Sequence, residues 1–316
     1  MSDAPAKPIR QPLSPAAKLE IAFWVLVAAA FFYIFHLHGN LTETKYCGNS
    51  LFLWMKMRWH GDMAYAAFLP FVSLWALWRK RRDLAAAPRA VAWSGLPLVA
   101  FALFLHWVGV RAQQPRVSMA ALIVLLWAIP FLLYGWRFAK HLLFPVGYLF
   151  LSIPMNFLDS MTSPLRIFAA WTSATILNGF GLRIVQTGAG LSSAAGNPFA
   201  LDVAPECSGL HSLLAMTALM AAYAWYSQGT ILKKWFFFLC SVPVAIVANI
   251  FRIMLVVLVA AAFGQERAMG LWHDYSGYPV FIAGILMMLA LDRLMNLDWT
   301  ALWHRFANRI FSPGPR

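Results

Sequence analysis

Three side chains in this sequence could together perform nucleophilic chemistry on a carbonyl group. Cys207 stands where a long apolar run begins. A helix starting there would bring free backbone N–H groups and a partial positive charge to the thiol, and both favour the thiolate. Arg252 lies inside a later apolar run, and His273 lies in a short polar loop. The three residue types are a nucleophile, a charge stabiliser and a proton shuttle.

Composition predicts the environment in which these residues must work. Of the 316 residues, 61% are hydrophobic and only 12% are charged, whereas soluble domains average about 25% charged residues. The chain is therefore expected to be a polytopic membrane protein. Its formal net charge of +13 is interpreted as the distribution of Lys and Arg between the two sides of the membrane. Nucleic-acid binding is not expected, because it would need a basic patch on a soluble domain and the sequence predicts no such domain.

The cysteines give no indication of a metal site or of a cofactor. Cys47, Cys207 and Cys240 have neither the spacing of a zinc site nor that of a redox pair. Cys240 lies in the middle of an apolar run and is expected to be a small buried hydrophobe. A disulfide between Cys47 and Cys207 has little support.

The apolar runs predict an all-α fold that crosses the membrane about eight times, because the hydrocarbon core needs about 20 apolar helical residues. Lys and Arg are in excess on the side of both termini, which are therefore expected in the cytoplasm. A single transmembrane domain over 19–295 lies between cytoplasmic tails at 1–18 and 296–316. The predicted spans are 19–37, 63–78, 90–110, 117–134, 141–158, 207–226, 235–260 and 275–295.

The extracytoplasmic segment 159–206 is unusually long. Its first part, 164–181, is predicted to be a helix that lies in the membrane interface or dips into the membrane. Alternating apolar residues over 182–186 and 199–203 flank a Gly/Ser/Ala-rich stretch, which predicts a small β-hairpin leading into the span that begins at Cys207.

The predicted topology puts the three chemical residues on one membrane face. Cys207 opens the sixth span at the outer surface, and the span runs inward to Lys234. Arg252 follows Lys234 by about 27 Å of helix, which returns it close to the same surface. His273 lies in the outer loop after the seventh span. Arginine inside a span usually faces a polar partner, although snorkelling to lipid headgroups is the alternative.

Several neighbours could support this site. Asn249 precedes Arg252 by three positions, on the same helix face, and could hold the guanidinium. His211, one turn after Cys207, competes with His273 as the proton shuttle, but it is expected to point deeper into the bilayer. Glu206 would raise the pKa of an adjacent thiol and is therefore expected to turn away or to contact substrate.

These residues resemble the three motifs of the exosortase/archaeosortase family, a group of membrane cysteine transpeptidases. Cys207, Ser208 and Gly209 form the first motif. Asn249 and Arg252 form the second, and His273 with Gly277 the third. Histidine at the third motif resembles the bacterial branch. One departure is His211, where relatives often carry arginine.

The resemblance implies a function. Exosortases cleave the C-terminal sorting signal of secreted proteins, which consists of a Pro-Glu-Pro-like motif, a transmembrane helix and a basic tail. Cys207 would form the acyl-enzyme, Arg252 would stabilise the oxyanion and His273 would transfer protons. The protein would then pass to an unidentified acceptor. The expected location is the bacterial inner membrane, with the site facing the periplasm and the bilayer as a partner.

Two other readings stay open from the sequence. A non-enzymatic transporter or a scaffold in exopolysaccharide export would also account for the spans and for Arg252, but transporters often show repeated halves, and these halves do not match. A membrane acyltransferase would use the same cysteine with a different donor and acceptor.

Overall fold

The computed structural model describes residues 14–39, 48–60, 63–154, 159–193, 198–202, 210–227, 229–272 and 277–298. Helices dominate these residues. In chain order they are α1 (Pro15–Phe31), α2 (Leu51–Arg58), α3 (Leu69–Arg79), α4 (Arg81–Ala86), α5 (Leu96–Arg111), α6 (Pro115–Tyr134), α7 (Trp136–Ala139), α8 (Leu143–Gly147), α9 (Asp159–Gly179), α10 (Leu210–Ser227), α11 (Ile231–Leu239), α12 (Ser241–Phe263), α13 (Gln265–Arg267) and α14 (Gly277–Asn296).

Five of the helical segments in the described residues are long and apolar enough to cross a membrane, which confirms a multi-pass membrane protein. They match the predicted first, third, fourth, seventh and eighth spans. The number eight and the orientation of the termini stay predictions. The five segments are Lys18–Leu37, Trp93–Arg111, Pro115–Tyr134, Ile231–Phe263 and Pro279–Asn296.

The three other predicted spans are not among these five. The segment 63–78 begins as a 3₁₀ helix, Ala64–Phe68, before α3. The sixth coincides with a single helix, α10, of which Leu213–Ser227 is an apolar stretch. The fifth, 141–158, is broken into short helices as far as it is described.

Proline explains the broken fifth segment. Pro145 has no N–H for a helical hydrogen bond, and its carbonyl oxygen instead accepts a hydrogen bond from Ser73 Oγ at 2.6 Å. Shortly afterwards the Tyr148 hydroxyl donates to the carbonyl oxygen of Ala218 at 3.0 Å. These bonds fasten the irregular segment to α3 and α10.

The chain divides into two compact units, of which the first comprises Met1–His60 and Leu84–His141. Within it, α5 and α6 form an antiparallel pair. Gly109 lies so close to Ser118 that an added Cβ would stand 2.6 Å from the hydroxyl oxygen. At the other end of α6, the Tyr134 hydroxyl accepts from Trp24 Nε1 and donates to Glu20, which joins α1 to α6.

The second unit, Gly61–Asp83 and Leu142–Arg316, contains every predicted site residue. Its centre is the helix formed by α11 and α12, which is interrupted at Cys240 because Pro243 cannot donate to the carbonyl of Leu239. Helices α9, α10 and α14 all pack against α12. Cys240 is a half-buried free thiol beside a core of Met216, Met220, Ala224, Phe237, Ala245 and Met288.

A small antiparallel sheet follows α9, where the sequence predicted a two-stranded hairpin. The Gly/Ser/Ala-rich stretch is not only a loop, because part of it forms the middle strand. Gly188 has φ +61°, and this left-handed conformation turns the chain back directly after the first strand. The strands, in the order β1-β2-β3, are β1 (Val185–Thr187), β2 (Gly190–Ser193) and β3 (Phe199–Asp202).

The sheet, α9 and the second half of α12 share one hydrophobic core. Along β3 the buried and exposed residues alternate, so that one face of the strand packs inward. The last residue of this core belongs to the turn after α13. Its buried residues are Ala169, Ala170, Ala174, Leu177, Ile184, Leu191, Phe199, Leu201, Ile253, Val257, Val259, Ala260 and Ala268.

Candidate active site

Two of the predicted site residues lie one turn apart on α12. Asn249 is only 3% exposed, and Arg252 is half-buried. Among the described residues, Asn249 Oδ1 has no hydrogen-bond partner. A buried acceptor without a partner costs about 1–3 kcal/mol. This oxygen is therefore suited to a donor from a ligand or from another part of the chain.

The other predicted site residues are described only in part. His211 is the second residue of α10, and its backbone alone is described. Gly277 is the exposed first residue of α14, with open space around the position of an added Cβ. Those that fall outside the described residues are Glu206, Cys207, Ser208, Gly209 and His273.

Contacts between α10 and the α11–α12 helix fix an antiparallel register. Lys234 Nζ donates to the carbonyl oxygen of Trp225 at 3.2 Å, and the Tyr223 and Phe237 rings stack with centroids 5.5 Å apart. Further along, the Thr217 and Ser241 hydroxyl oxygens are 3.1 Å apart.

The same antiparallel register shows which residues of α12 lie beside the start of α10. Leu210 stands seven positions before Thr217, and Ala248 stands seven positions after Ser241. Because both helices rise by about 1.5 Å per residue, α10 begins at the level of Ala248 and Asn249.

A second set of contacts sets α14 parallel to α10. The Tyr223 hydroxyl donates to Asp292 Oδ2 at 2.9 Å. About two turns earlier in both helices, a Cβ on Gly284 would collide with the terminal methyl group of Met216. Because Leu210 lies six positions before Met216 and Tyr278 lies six positions before Gly284, α14 begins at the same level as α10.

The registers of these helices therefore bring the N-terminal ends of α10 and α14 to the level of Asn249 and Arg252. Cys207 precedes Leu210 by three residues, which limits the distance between their Cα atoms to about 11 Å. His273 precedes Gly277 by four residues, which sets a limit of about 15 Å. Contact among the three chemical side chains stays a prediction.

Sequence reasoning missed an ion pair close to this end of the bundle. Arg166 on α9 lies 3.3 Å from Asp202 Oδ1 at the end of β3, and the two side chains are 17% and 76% exposed. Asp202 precedes Cys207 by five residues. The pair therefore ties the strand that leads to the cysteine to α9. Arg166 lies two residues after Pro164 in a largely apolar helix. This sequence pattern does not indicate that Asp202 is its partner.

Sequence reasoning also missed Gln265. Its side-chain oxygen accepts a hydrogen bond from the Ala200 backbone N–H at 3.0 Å. Metal ligation has no support in the described part of the chain, where no three His, Cys, Asp or Glu side chains are grouped so that they could hold an ion.

Comparison with the curated proteins and with the solved structures found no match to the chain. A family model described as Transmembrane exosortase (Exosortase_EpsH) matches residues 54–290. That range covers most of the 316 residues and includes all three motifs. The chain therefore belongs to the transmembrane exosortase family.

Proposed function

We propose that the chain is an exosortase-type cysteine peptidase and transpeptidase of the bacterial inner membrane. Its substrates are secreted proteins that end in a Pro-Glu-Pro-like motif, a transmembrane helix and a basic tail. It cleaves them near the motif, on the periplasmic side, and transfers them to an acceptor. Membership of the exosortase family supports this class of reaction.

The observation that carries the proposal is the common level of Asn249, the start of α10 and the start of α14. The first motif precedes α10, the second lies on α12 and the third leads into α14. Helix registers that bring these three places together support a shared site. The Asn249 oxygen, which has no hydrogen-bond partner among the described residues, adds a polar group that packing alone does not require.

In the first half-reaction, His273 accepts the thiol proton of Cys207. The thiolate attacks the carbonyl carbon of the scissile amide, and the carbonyl electron pair moves onto oxygen. Arg252 donates hydrogen bonds to this oxyanion, which in a site of low dielectric contributes several kcal/mol to catalysis. The C–N bond then breaks, and His273 gives its proton to the leaving amine.

The thioester that results divides one difficult step into two easier ones. In the second half-reaction, His273 takes a proton from the acceptor nucleophile, which attacks the thioester carbonyl. The C–S bond breaks, and the proton returns to the sulfur. Water as the acceptor gives hydrolysis, whereas an amine or a hydroxyl group gives transfer.

The direct test is Cys207→Ala in the full-length protein, with a reporter that ends in the three-part sorting signal. Processing is expected to stop while membrane insertion is unchanged. Cys240→Ala is the matched control, because this other thiol is half-buried beside a methionine-rich core, and it is expected to process normally. Wild-type processing by Cys207→Ala would refute the proposal.

A trapped adduct distinguishes the proposal from a membrane acyltransferase. If an acyl group accumulates on Cys207 when the acceptor is withheld, its mass identifies the donor. A peptide acyl group supports the transpeptidase, and a fatty acyl group supports the acyltransferase. Labelling of Cys207 by a maleimide that does not cross membranes tests the expected periplasmic exposure.

A further inference from the structure

The strand before the cysteine is attached to the rest of the unit at its edge. In the described part of the chain, β3 pairs with β2 alone, and an edge strand leaves N–H groups unpaired. The N–H of Ala200 does not point at β2, since it donates to Gln265 Oε1 at 3.0 Å. A backbone N–H can only donate, so the partner must be the amide oxygen of Gln265.

Gln265 lies directly after the C-terminal end of α12. Gly264, with φ +90°, ends α12 in a backbone conformation that other residues rarely adopt. Gln265 then opens the short helix α13, which packs on β3. The turn Ala268–Trp272 follows, with a kink at Gly270, and His273 comes immediately after it.

The turn and the strand also share a core. Ala268 of the turn is fully buried in the same cluster as Phe199 and Leu201 of β3. The strand that leads to Cys207 and the turn that leads to His273 are therefore packed together and hydrogen-bonded together.

We propose that Gln265 is a positioning residue that sets the distance between the Cys207 and His273 segments. It acts through the Ala200 backbone and touches no reacting atom. This inference rests on the proposed function, because it concerns the proton transfer between the cysteine and the histidine. Small displacements of reacting groups slow enzymes by up to about 100-fold.

The test compares Gln265→Ala with Gln265→Glu in the full-length protein. The alanine variant removes the acceptor, whereas glutamate keeps an oxygen for the Ala200 N–H. Gln186→Ala is the matched control: this glutamine lies on β1, and its side chain donates to the Gly188 carbonyl oxygen at 2.7 Å and to the Ile167 carbonyl oxygen at 3.5 Å, away from Gln265.

The processing rate of Gln265→Ala at saturating substrate is expected to fall by at least about tenfold, with KM unchanged. Gln265→Glu and Gln186→Ala are expected to stay within about twofold of wild type. The rate at which the Cys207 thiol is alkylated across pH is a second readout, because it reports the coupling of thiol and histidine without any substrate.

Three results would overturn the inference: a Gln265→Ala rate close to wild type, failure of Gln265→Glu to restore the rate, or an equal loss in Gln186→Ala. A loss that is matched by a lower unfolding temperature in detergent, with an unchanged alkylation profile, would also overturn it. Failure of the proposed function is a different outcome, since the wild-type protein would then leave the reporter uncleaved.

Discussion

The Thr217 and Ser241 hydroxyl oxygens lie 3.1 Å apart between α10 and α12, and both side chains are buried. This hydrogen bond joins α10 to α12 and belongs to the register that places the start of α10 beside Asn249. Thr217→Val keeps the side-chain shape but leaves the Ser241 hydroxyl without this partner.

We expect Thr217→Val to lower the unfolding free energy by about 0.6–1.7 kcal/mol, the range of hydrogen bonds between membrane helices. The double variant Thr217→Val with Ser241→Ala should recover part of the loss, because neither hydroxyl is then left alone. Unfolding in micelles measures both. Strictly additive losses would contradict the coupling.

Gly284 gives a steric test of the pairing between α10 and α14. A Cβ there would meet the flexible end of Met216, so Gly284→Ala is expected to be tolerated after a small rotamer change. Gly284→Leu is expected to push α14 away and to reduce both stability and processing. Met216→Ala should restore the leucine variant, because it removes the obstructing group, and the absence of any rescue would argue against this contact.

Asn249→Leu separates a packing role from a functional one. Leucine has a similar shape without the unpartnered oxygen, so a residue that only packs should become more stable at equal activity. If the amide holds Arg252 or the substrate, processing should fall by roughly tenfold or more while stability is kept. Reporter processing and thermal unfolding of the same samples give the answer.

Arg252→Lys tests whether planar, forked hydrogen bonding is required. Lysine keeps the charge but cannot reproduce the geometry of the guanidinium, so processing is expected to fall by roughly 100-fold or more. A wild-type rate would indicate snorkelling to lipid headgroups. Arg267→Lys, on the short helix α13, is the control for a general effect of exchanging arginine.

At the ion pair of Arg166 with Asp202, a substitution that reverses the charge is expected to reduce processing more than one that only removes it. Asp202 is largely exposed, so Asp202→Asn, which keeps an acceptor, is expected to change processing by less than about threefold. Asp202→Lys places a cation beside Arg166 and should loosen β3 from α9, with a larger loss that salt partly relieves. Equal effects of the two variants would contradict an electrostatic role.

His273 and His211 can be separated by chemical rescue. His273→Ala is expected to slow processing strongly, and added imidazole should restore part of the rate because it can transfer the missing protons. His211→Ala is expected to retain activity without imidazole. The reverse pattern would make His211 the proton shuttle, an alternative that the sequence leaves open.

The long membrane helices could be predicted because an apolar run of about 20 residues has few other stable states. Their registers could not. These helices are apolar on nearly every side, so no stripe of residues marks the contact face. The pairing of Thr217 with Ser241 depends on two hydroxyl groups that look unremarkable in the sequence.

The sheet shows a different limit. Alternating apolar residues predicted strands on both sides of the small-residue stretch, but the middle strand contains Gly190 and two serines, which propensity does not favour. The hydrogen bond of Gln265 could not be predicted for another reason, since its partner is a backbone N–H that every residue except proline carries. Arg252 could be singled out in the sequence because an arginine within a span is energetically costly.

The helix Ile231–Phe263 is 33 residues long, or about 50 Å, whereas the hydrocarbon core measures about 30 Å. Even a steep tilt of about 40° leaves it too long. The interruption at Cys240 divides this length into α11 and α12, and the half that carries Ile253 and Val257 packs against the sheet and α9. The small sheet and α9 therefore cover this apolar stretch of helix with protein. Under the proposed function, a substrate peptide anchored in the bilayer and an acceptor dissolved in water would both have to reach this level of the helix.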